Sequence, residues 1–329
     1  MSDGNVAVAI DVGGTMIKAA VIDREANVLA QERLPTPHPS LPGCVAQRML
    51  ETLCVLLSRT NRSVATIAGV GVSIAAFITA EGRVTATAHL SPEWVGYDLR
   101  RRLMADLPTN YYFALDTPAP TLGEAYYGAG RGVADFAYVT VSTGIGAGII
   151  ANGRLFTGGL GWAGGVGHVI VDPNGPRVCE GCGNRGCLET YAAKQGIIAL
   201  ARQALQEHPA SPLARHVPDA LTPQLVGDAA RAGDEAAIWA FGQAGHYLGL
   251  GLTSLIDILS PERIVVGGGI GLAGDFFLDT TRAVVRRCAY PPSHRDVEIV
   301  PAALGDLSGV YGVTAMVFND IRINQSGEA

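Results

Sequence analysis

Three cysteines fall within nine residues, Cys179-Glu-Gly-Cys182-Gly-Asn-Arg-Gly-Cys187, while Cys44, Cys54 and Cys288 are scattered. Clustered thiolates at this spacing suit one tetrahedral zinc ion, and a zinc site closed by protein ligands is normally structural. The alternative, three reduced buried cysteines, is disfavoured by the clustering. Two glycine turns point to a second chemistry. Asp11-Val-Gly-Gly-Thr15 and Ser142-Thr-Gly-Ile-Gly-Ala-Gly148 each lie between apolar runs. Glycines in such turns let backbone N–H groups face a phosphate with no Cβ in the way. Thr15 adds a hydroxyl, and Asp11 is suited to hold magnesium through water. Either turn alone reads equally well as an ordinary hairpin. Two of them facing each other would grip a nucleoside triphosphate from both sides.

The elements that must position these turns repeat. Strands are expected at Val6–Ile10, near Lys18–Ile22 and at Val28–Arg33, joined as an antiparallel meander. Pro35, Pro37, Pro39 and Pro42 mark a loop, and Cys44–Arg59 has helical spacing. Further strands are expected at Ile67–Ser73 and Tyr111–Leu115, with helices at Glu93–Asp106 and from Pro118 to Tyr127. The strand, glycine turn, strand theme then returns at Phe136–Ala151. Helices follow at Glu189–Glu207, Pro223–Arg231, Asp234–Leu259, Phe276–Arg287 and Leu304–Phe318. Strands at Ile264–Val266 and Val297–Val300 lie between the later ones. Gly267-Gly-Gly269 closes the first of these two strands and reads as a strand-to-helix turn.

The chain has 329 residues, enough for two domains, and 48% hydrophobic against 16% charged residues excludes a disordered chain. Lys+Arg of 24 against Asp+Glu of 30 gives a net charge of −6 with no basic block, which disfavours nucleic-acid binding. No cationic start precedes a long apolar stretch, and no run of about 18 apolar residues occurs, so neither a secretory leader nor a membrane span is expected. The few, clustered cysteines suggest a reducing compartment, the cytoplasm.

Together, Asp11–Thr15, the glycine pattern from Thr143 to His168, Cys182-Gly-Asn-Arg-Gly-Cys187-Leu-Glu189 and Gly267–Gly269 resemble the ROK family of repressors and sugar kinases. The match runs in order from Val6 to about Val317. It implies an α/β, two-lobed actin-like sugar kinase fold with an interdomain active-site cleft. On that pattern the N-terminal lobe covers residues 1–120 and regains 304–329, and the second lobe covers 121–303. The resemblance implies ATP with Mg2+, held by Asp11, Gly13, Gly14, Thr15, Lys18, Thr143, Gly144 and Gly146. It implies that Gly267, Gly268 and Gly269 pack against the adenosine. It adds His168 to Cys179, Cys182 and Cys187 as the fourth Zn2+ ligand. It makes Asp116, seven residues before Gly123-Glu124, the base that accepts a sugar hydroxyl proton; a plain helix cap is the other reading. His89, Asp116, His168 and Glu189 would contact the acceptor. A homodimer is implied by resemblance alone.

Five departures stand out. The family usually has one residue between the first two cysteines, and this chain has two. It usually has polar readers of the sugar ring where this chain has His89, Leu115 and Gly165, and Pro-Gly near Gly71 is replaced by Ser73-Ile-Ala-Ala-Phe77. Losing hydroxyl readers changes discrimination. The expected function is therefore ATP-dependent phosphorylation of the primary hydroxyl of a modified hexose (an aminodeoxy sugar) or a C7 cyclitol. An ordinary glucokinase and a silent sugar- or nucleotide-binding protein are the alternatives. With its first strand at Val6, the chain is not expected to act as a repressor.

Overall fold

Two units, each built on its own five-stranded sheet, make up the computed structural model, which describes residues 4–87, 90–216 and 220–323. The first unit gathers the chain up to Gly132, the stretch Leu155–Ala163 and the segment from Asp306 onward. Val133–Arg154 and Gly164–Gly305 form the second.

In the first unit, β1 (Val6–Val12), β2 (Met16–Asp23) and β3 (Val28–Pro35) form the expected meander. β4 (Gly69–Ile74) and β7 (Tyr111–Leu115) continue the sheet in parallel, giving the order β3-β2-β1-β4-β7. Nearly every side chain of β1 and β4 is buried, as strands covered on both faces require. One cover is α1 (Pro42–Arg59), which buries Val45, Met49, Leu53 and Leu56 at helical spacing. Pro42, assigned to a loop from the sequence, sits in its first turn, where the missing N–H costs nothing. Another is formed by α3 (Pro118–Tyr127) and α10 (Ser308–Asn319), which pack on each other. A Cβ on Gly312 of α10 would overlap the Ala119 carbonyl of α3, so only glycine permits this approach. That packing carries α3 into the first unit, which runs to Gly132 rather than ending near 120.

The segment between β4 and β7 differs from its expected form. A hairpin of β5 (Ala76–Ile78) and β6 (Val84–Thr87) occupies it. The predicted helix over 93–106 is a short 3-10 turn at Pro92–Trp94 followed by α2 (Leu99–Asp106). Gly96, at φ +85°, breaks the continuity, and Asp98 restarts it by accepting from the Arg101 N–H at 2.9 Å.

The second unit repeats the topology. β8 (Phe136–Val141), β9 (Ile145–Ala151) and β10 (Arg154–Phe156) are followed by β11 (Arg263–Gly267) and β12 (Glu298–Pro301), in the order β10-β9-β8-β11-β12. β8, β11 and β12 are parallel. The helices are α4 (Glu189–Ala192), α5 (Lys194–Glu207), α6 (Pro223–Arg231), α7 (Glu235–Leu259), α8 (Gly268–Gly271) and α9 (Asp275–Cys288). Phe241, Leu248 and Leu252 of α7 meet Ile197 and Ala201 of α5 and Phe277 of α9 in one core. The single helix predicted over 189–207 is split at Ala193, which is extended at ψ −173°. Among the described residues, no helix is long and apolar enough to cross a membrane.

Candidate active site

In the first unit β1, β4 and β7 run parallel, so their C-terminal ends share one sheet edge, where open α/β sheets bind ligands. The Asp11–Thr15 turn lies there. The Gly13 N–H donates to Met16 O at 3.0 Å, the Thr36 hydroxyl to Gly13 O at 2.7 Å and the Thr36 N–H to Thr15 O at 2.9 Å. The turn is thereby fixed while Gly14 and Thr15 stay exposed. Lys18 faces Asp11 across the ladder. Its ammonium donates to Asp306 O at 3.1 Å and lies 3.6 Å from the Asp306 carboxylate, which also receives Arg33 at 2.7 Å. Burial raises the Asp11 pKa above the usual range, and Ser73 and Lys18 oppose the rise. Ser73 lies opposite Asp11 in the β4 register, and its fully buried hydroxyl completes no hydrogen bond of ordinary geometry.

Asp116 follows the last residue of β7 on the same edge. Burial, with the Asp11 carboxylate adding to it, pushes its pKa up to about 7, against weaker opposition from Thr117 and its own backbone N–H. The N-cap of α3 is Thr117 and no side chain caps that helix, so the Asp116 carboxylate is not engaged in capping. Glu124, by contrast, is buried as a tie: it accepts from the Ala129 N–H at 2.8 Å and the Ser308 hydroxyl at 2.9 Å.

In the second unit the ends of β8 and β11 bring two glycine segments to one edge. The turn after β8 closes within Ser142–Gly144, where the Ser142 N–H donates to Gly144 O at 2.9 Å. It is shorter than the sequence suggested: Gly146 already lies in β9, opposite Thr140. Lys194 N–H donates to Ser142 O at 3.0 Å, which fastens the turn to the start of α5. After β11, Gly268 adopts φ +81° against the backbone of Val141, a position closed to any Cβ. Gly267 lies on the Tyr138 phenol, Gly269 has open space around it, and Gly268–Gly271 is the helical turn α8, not a bare strand-to-helix link.

Glu189 links this edge to the cysteine cluster. A Cβ on Gly144 would sit 3.1 Å from one of its carboxylate oxygens; the other accepts from the Cys179 thiol at 2.8 Å and lies 3.8 Å from His168 Nδ1. The donor atoms of His168, Cys179, Cys182 and Cys187 all lie within 4.8 Å of one another. Zn–S and Zn–N bonds of about 2.3 and 2.0–2.1 Å in a tetrahedron separate ligand atoms by roughly 3.5–3.8 Å. The Cys182–Cys187 sulfur distance is 3.5 Å and Cys179 Sγ to His168 Nδ1 is 3.6 Å. The four side chains therefore fit one zinc ion despite the extra residue between the first two cysteines.

His89 lies outside the described residues. Leu115 ends β7 and Gly165 precedes the 3-10 turn Val166–His168. Sequence reasoning did not single out Ser73 or Trp162, nor the contact between Trp162 and Phe77. The Phe77 and Trp162 rings, far apart in the chain, stack at 4.0 Å between centroids and 29° between planes within the first unit.

Comparison with known proteins agrees with this construction. A glucokinase of Halalkalibacterium halodurans is 32% identical over 310 residues, 93% of this chain and 92% of the relative. A Bacillus spizizenii xylose repressor is 26% identical over 311 residues, 94% of this chain and 76% of the repressor. The solved structure of a ROK family glucokinase from Streptomyces griseus, in complex with glucose and AMPPNP, superposes with a TM-score of 0.78 at 28% identity, covering 94% of this chain and 97% of that one. It shares the mixed α/β, actin-like fold seen here. The ROK family model matches residues 7–320. The match runs nearly from end to end of the sequence, and this chain belongs to the ROK family.

Proposed function

We propose that the chain is a kinase that moves the γ-phosphoryl group of ATP to a primary hydroxyl of a hexose-like acceptor. The observation that carries this reading is Asp116: an uncapped carboxylate at the end of β7 with a pKa of about 7. Such a base is half ionised near neutrality and accepts the hydroxyl proton as the new bond forms. The acceptor oxygen bonds to the γ-phosphorus, the bond from that phosphorus to the β-γ bridging oxygen breaks, ADP leaves with the electron pair, and the proton passes to Asp116. Positioning and fixed dipoles supply most of the remaining rate.

The exposed backbone of Gly14 and Thr15 and the turns at Thr143–Gly144 and Gly267–Gly269 suit phosphates and a nucleoside. Magnesium, bound with the nucleotide, neutralises charge on the phosphates, and Asp11 would hold it through water. Zinc on His168, Cys179, Cys182 and Cys187 is structural and fixes the loop that carries His168 and Glu189.

The acceptor differs from plain glucose. Family resemblance places ring readers at 89, 115 and 165, and Leu115 and Gly165 offer no polar side-chain atom there. A modified hexose, such as an aminodeoxy sugar, or a C7 cyclitol fits that loss. The glucokinase relatives favour a second reading, an ordinary glucokinase.

Coupled ADP release from Mg-ATP tests these readings. The acceptor panel is glucose, mannose, N-acetylated hexosamines, 3-amino-3-deoxyglucose and C7 cyclitols, with Asp116→Asn as control. Turnover confined to an unusual acceptor supports the proposal. Efficient glucose turnover supports the second reading. Silence across the panel, with sugar binding retained, leaves a binding protein without turnover.

A further inference from the structure

We infer that Phe77, Leu160 and Trp162 form a platform that selects an acceptor bearing an apolar aryl or alkyl substituent. This inference rests on the kinase reading and names the substrate class of that same site. Phe77 stands on β5, three residues past the end of β4, and β5 packs against β7, whose last residue precedes Asp116. The aromatic pair therefore belongs to the sheet edge that carries the proposed base. Trp162 reaches Phe77 from a tight turn. There the Gly161 N–H donates to Gly158 O at 3.3 Å and the Ala163 N–H to Thr157 O at 3.0 Å, with Gly158 and Gly161 both at positive φ.

The exposure of this turn is what calls for an occupant. Trp162 keeps 55% of its surface open and Leu160, two residues earlier, 78%. Exposed apolar surface beside a ring stack marks a candidate binding site. The neighbouring chemistry points to a small molecule rather than a macromolecule, because β5 packs against β7, whose last residue, Leu115, precedes Asp116. A site walled by rings and aliphatic side chains discriminates by apolar area instead of by hydrogen bonds. The hydroxylated ring would lie toward Asp116 and its apolar substituent on Trp162 and Leu160.

The probes are D-glucose and the two anomers of phenyl D-glucoside, each with a free primary hydroxyl. The readouts are ADP release and tryptophan fluorescence. Trp94 is fully buried and Trp239 partly so, which leaves Trp162 as the exposed reporter. One phenyl anomer is expected to exceed glucose in kcat/KM by roughly tenfold, as stacking on an aromatic face allows. Trp162→Ala and Phe77→Ala should bring that ratio to about one, and Trp162→Phe should keep most of it. Circular dichroism and melting of each variant establish that it is folded. A wild-type ratio of one or less for both anomers, or a ratio unchanged in Trp162→Ala, overturns the inference. If no acceptor is phosphorylated, the kinase reading fails on its own. Fluorescence then decides the platform: quenching by phenyl glucoside that disappears in Trp162→Ala sustains it, and no quenching ends it.

Discussion

At the ends of β1, β4 and β7 the first unit gathers two carboxylates, Asp11 and Asp116, and the Asp11 charge raises the cost of ionising Asp116. At the ends of β8 and β11 the second unit, with the same strand order, presents Ser142–Gly144 and Gly267–Gly271, turns without an ionisable side chain. Buried carboxylates repel phosphate and suit proton transfer. Bare N–H groups and hydroxyls attract phosphate and suit binding. On the proposed kinase reading, one topology used twice thus yields an edge that adds a base to its phosphate turn and an edge that offers glycine turns alone, and the difference lies in a few residues at strand ends. The second unit alone carries the cysteine cluster, which fastens Glu189 near its glycine turn.

If that division holds, Asp116→Asn should lower kcat by about 10²–10⁴-fold while leaving nucleotide affinity, read by calorimetry, near wild type. A comparable loss of nucleotide affinity would show that the edges are not separable in this way. A smaller effect concerns pH. With Asp116 at about 7, kcat/KM should fall about tenfold per unit below pH 7, because the base must be ionised. The same residue affects stability. A carboxylate with a raised folded pKa binds its proton more tightly when folded, so its contribution is present below the unfolded value of 3.8 and is lost as pH rises through about 7. Melting curves of Asp116→Asn should therefore gain on wild type between pH 4 and 7, and a constant difference would contradict the assignment.

In the second unit, Cys182→Ala should abolish bound zinc in elemental analysis. It should also lower the melting midpoint by roughly 6–12 °C, the equivalent of about 3 kcal/mol. Wild type purified without zinc, and unaffected by chelators, would refute the metal site. The smallest expected effect is in the first unit, where Gly312→Ala drives a methyl into the Ala119 carbonyl. It should cost about 1–3 kcal/mol with zinc content unchanged.

Strands and long helices were legible because their periodicity is local: the β1–β3 meander, the amphipathic stripe of α1 and the apolar length of α7 declare themselves. The repeated strand–turn–strand theme exposed the duplicated topology. The hairpin β5–β6 was not legible, since its strands of three and four residues carry no clear alternation. Trp94 and Tyr97, three apart, and Leu99 and Leu103, four apart, keep helical spacing on either side of Gly96, which hid the break before α2. Of the candidate site, the glycine turns, Asp116 and the cysteines could be found from motif and resemblance. Ser73 beside Asp11 follows only from strand register. Phe77 and Trp162 meet through tertiary structure, without a local signal in either segment.

Helix α10 also sets an order of events during synthesis. The first unit covers β1 and β4 only when α10 packs on them and on α3, yet α10 is made after the whole second unit. At about 5–20 residues per second, translation from Gly132 to Asp306 takes roughly 10–35 s. Through that interval the first-made sheet leaves the ribosome with the α10-facing side of β1 and β4 uncovered. The second unit, contiguous apart from the short stretch Leu155–Ala163, can close before it. The half made first is thus the half finished last, and a chaperone that shields apolar strands would act on it at that stage.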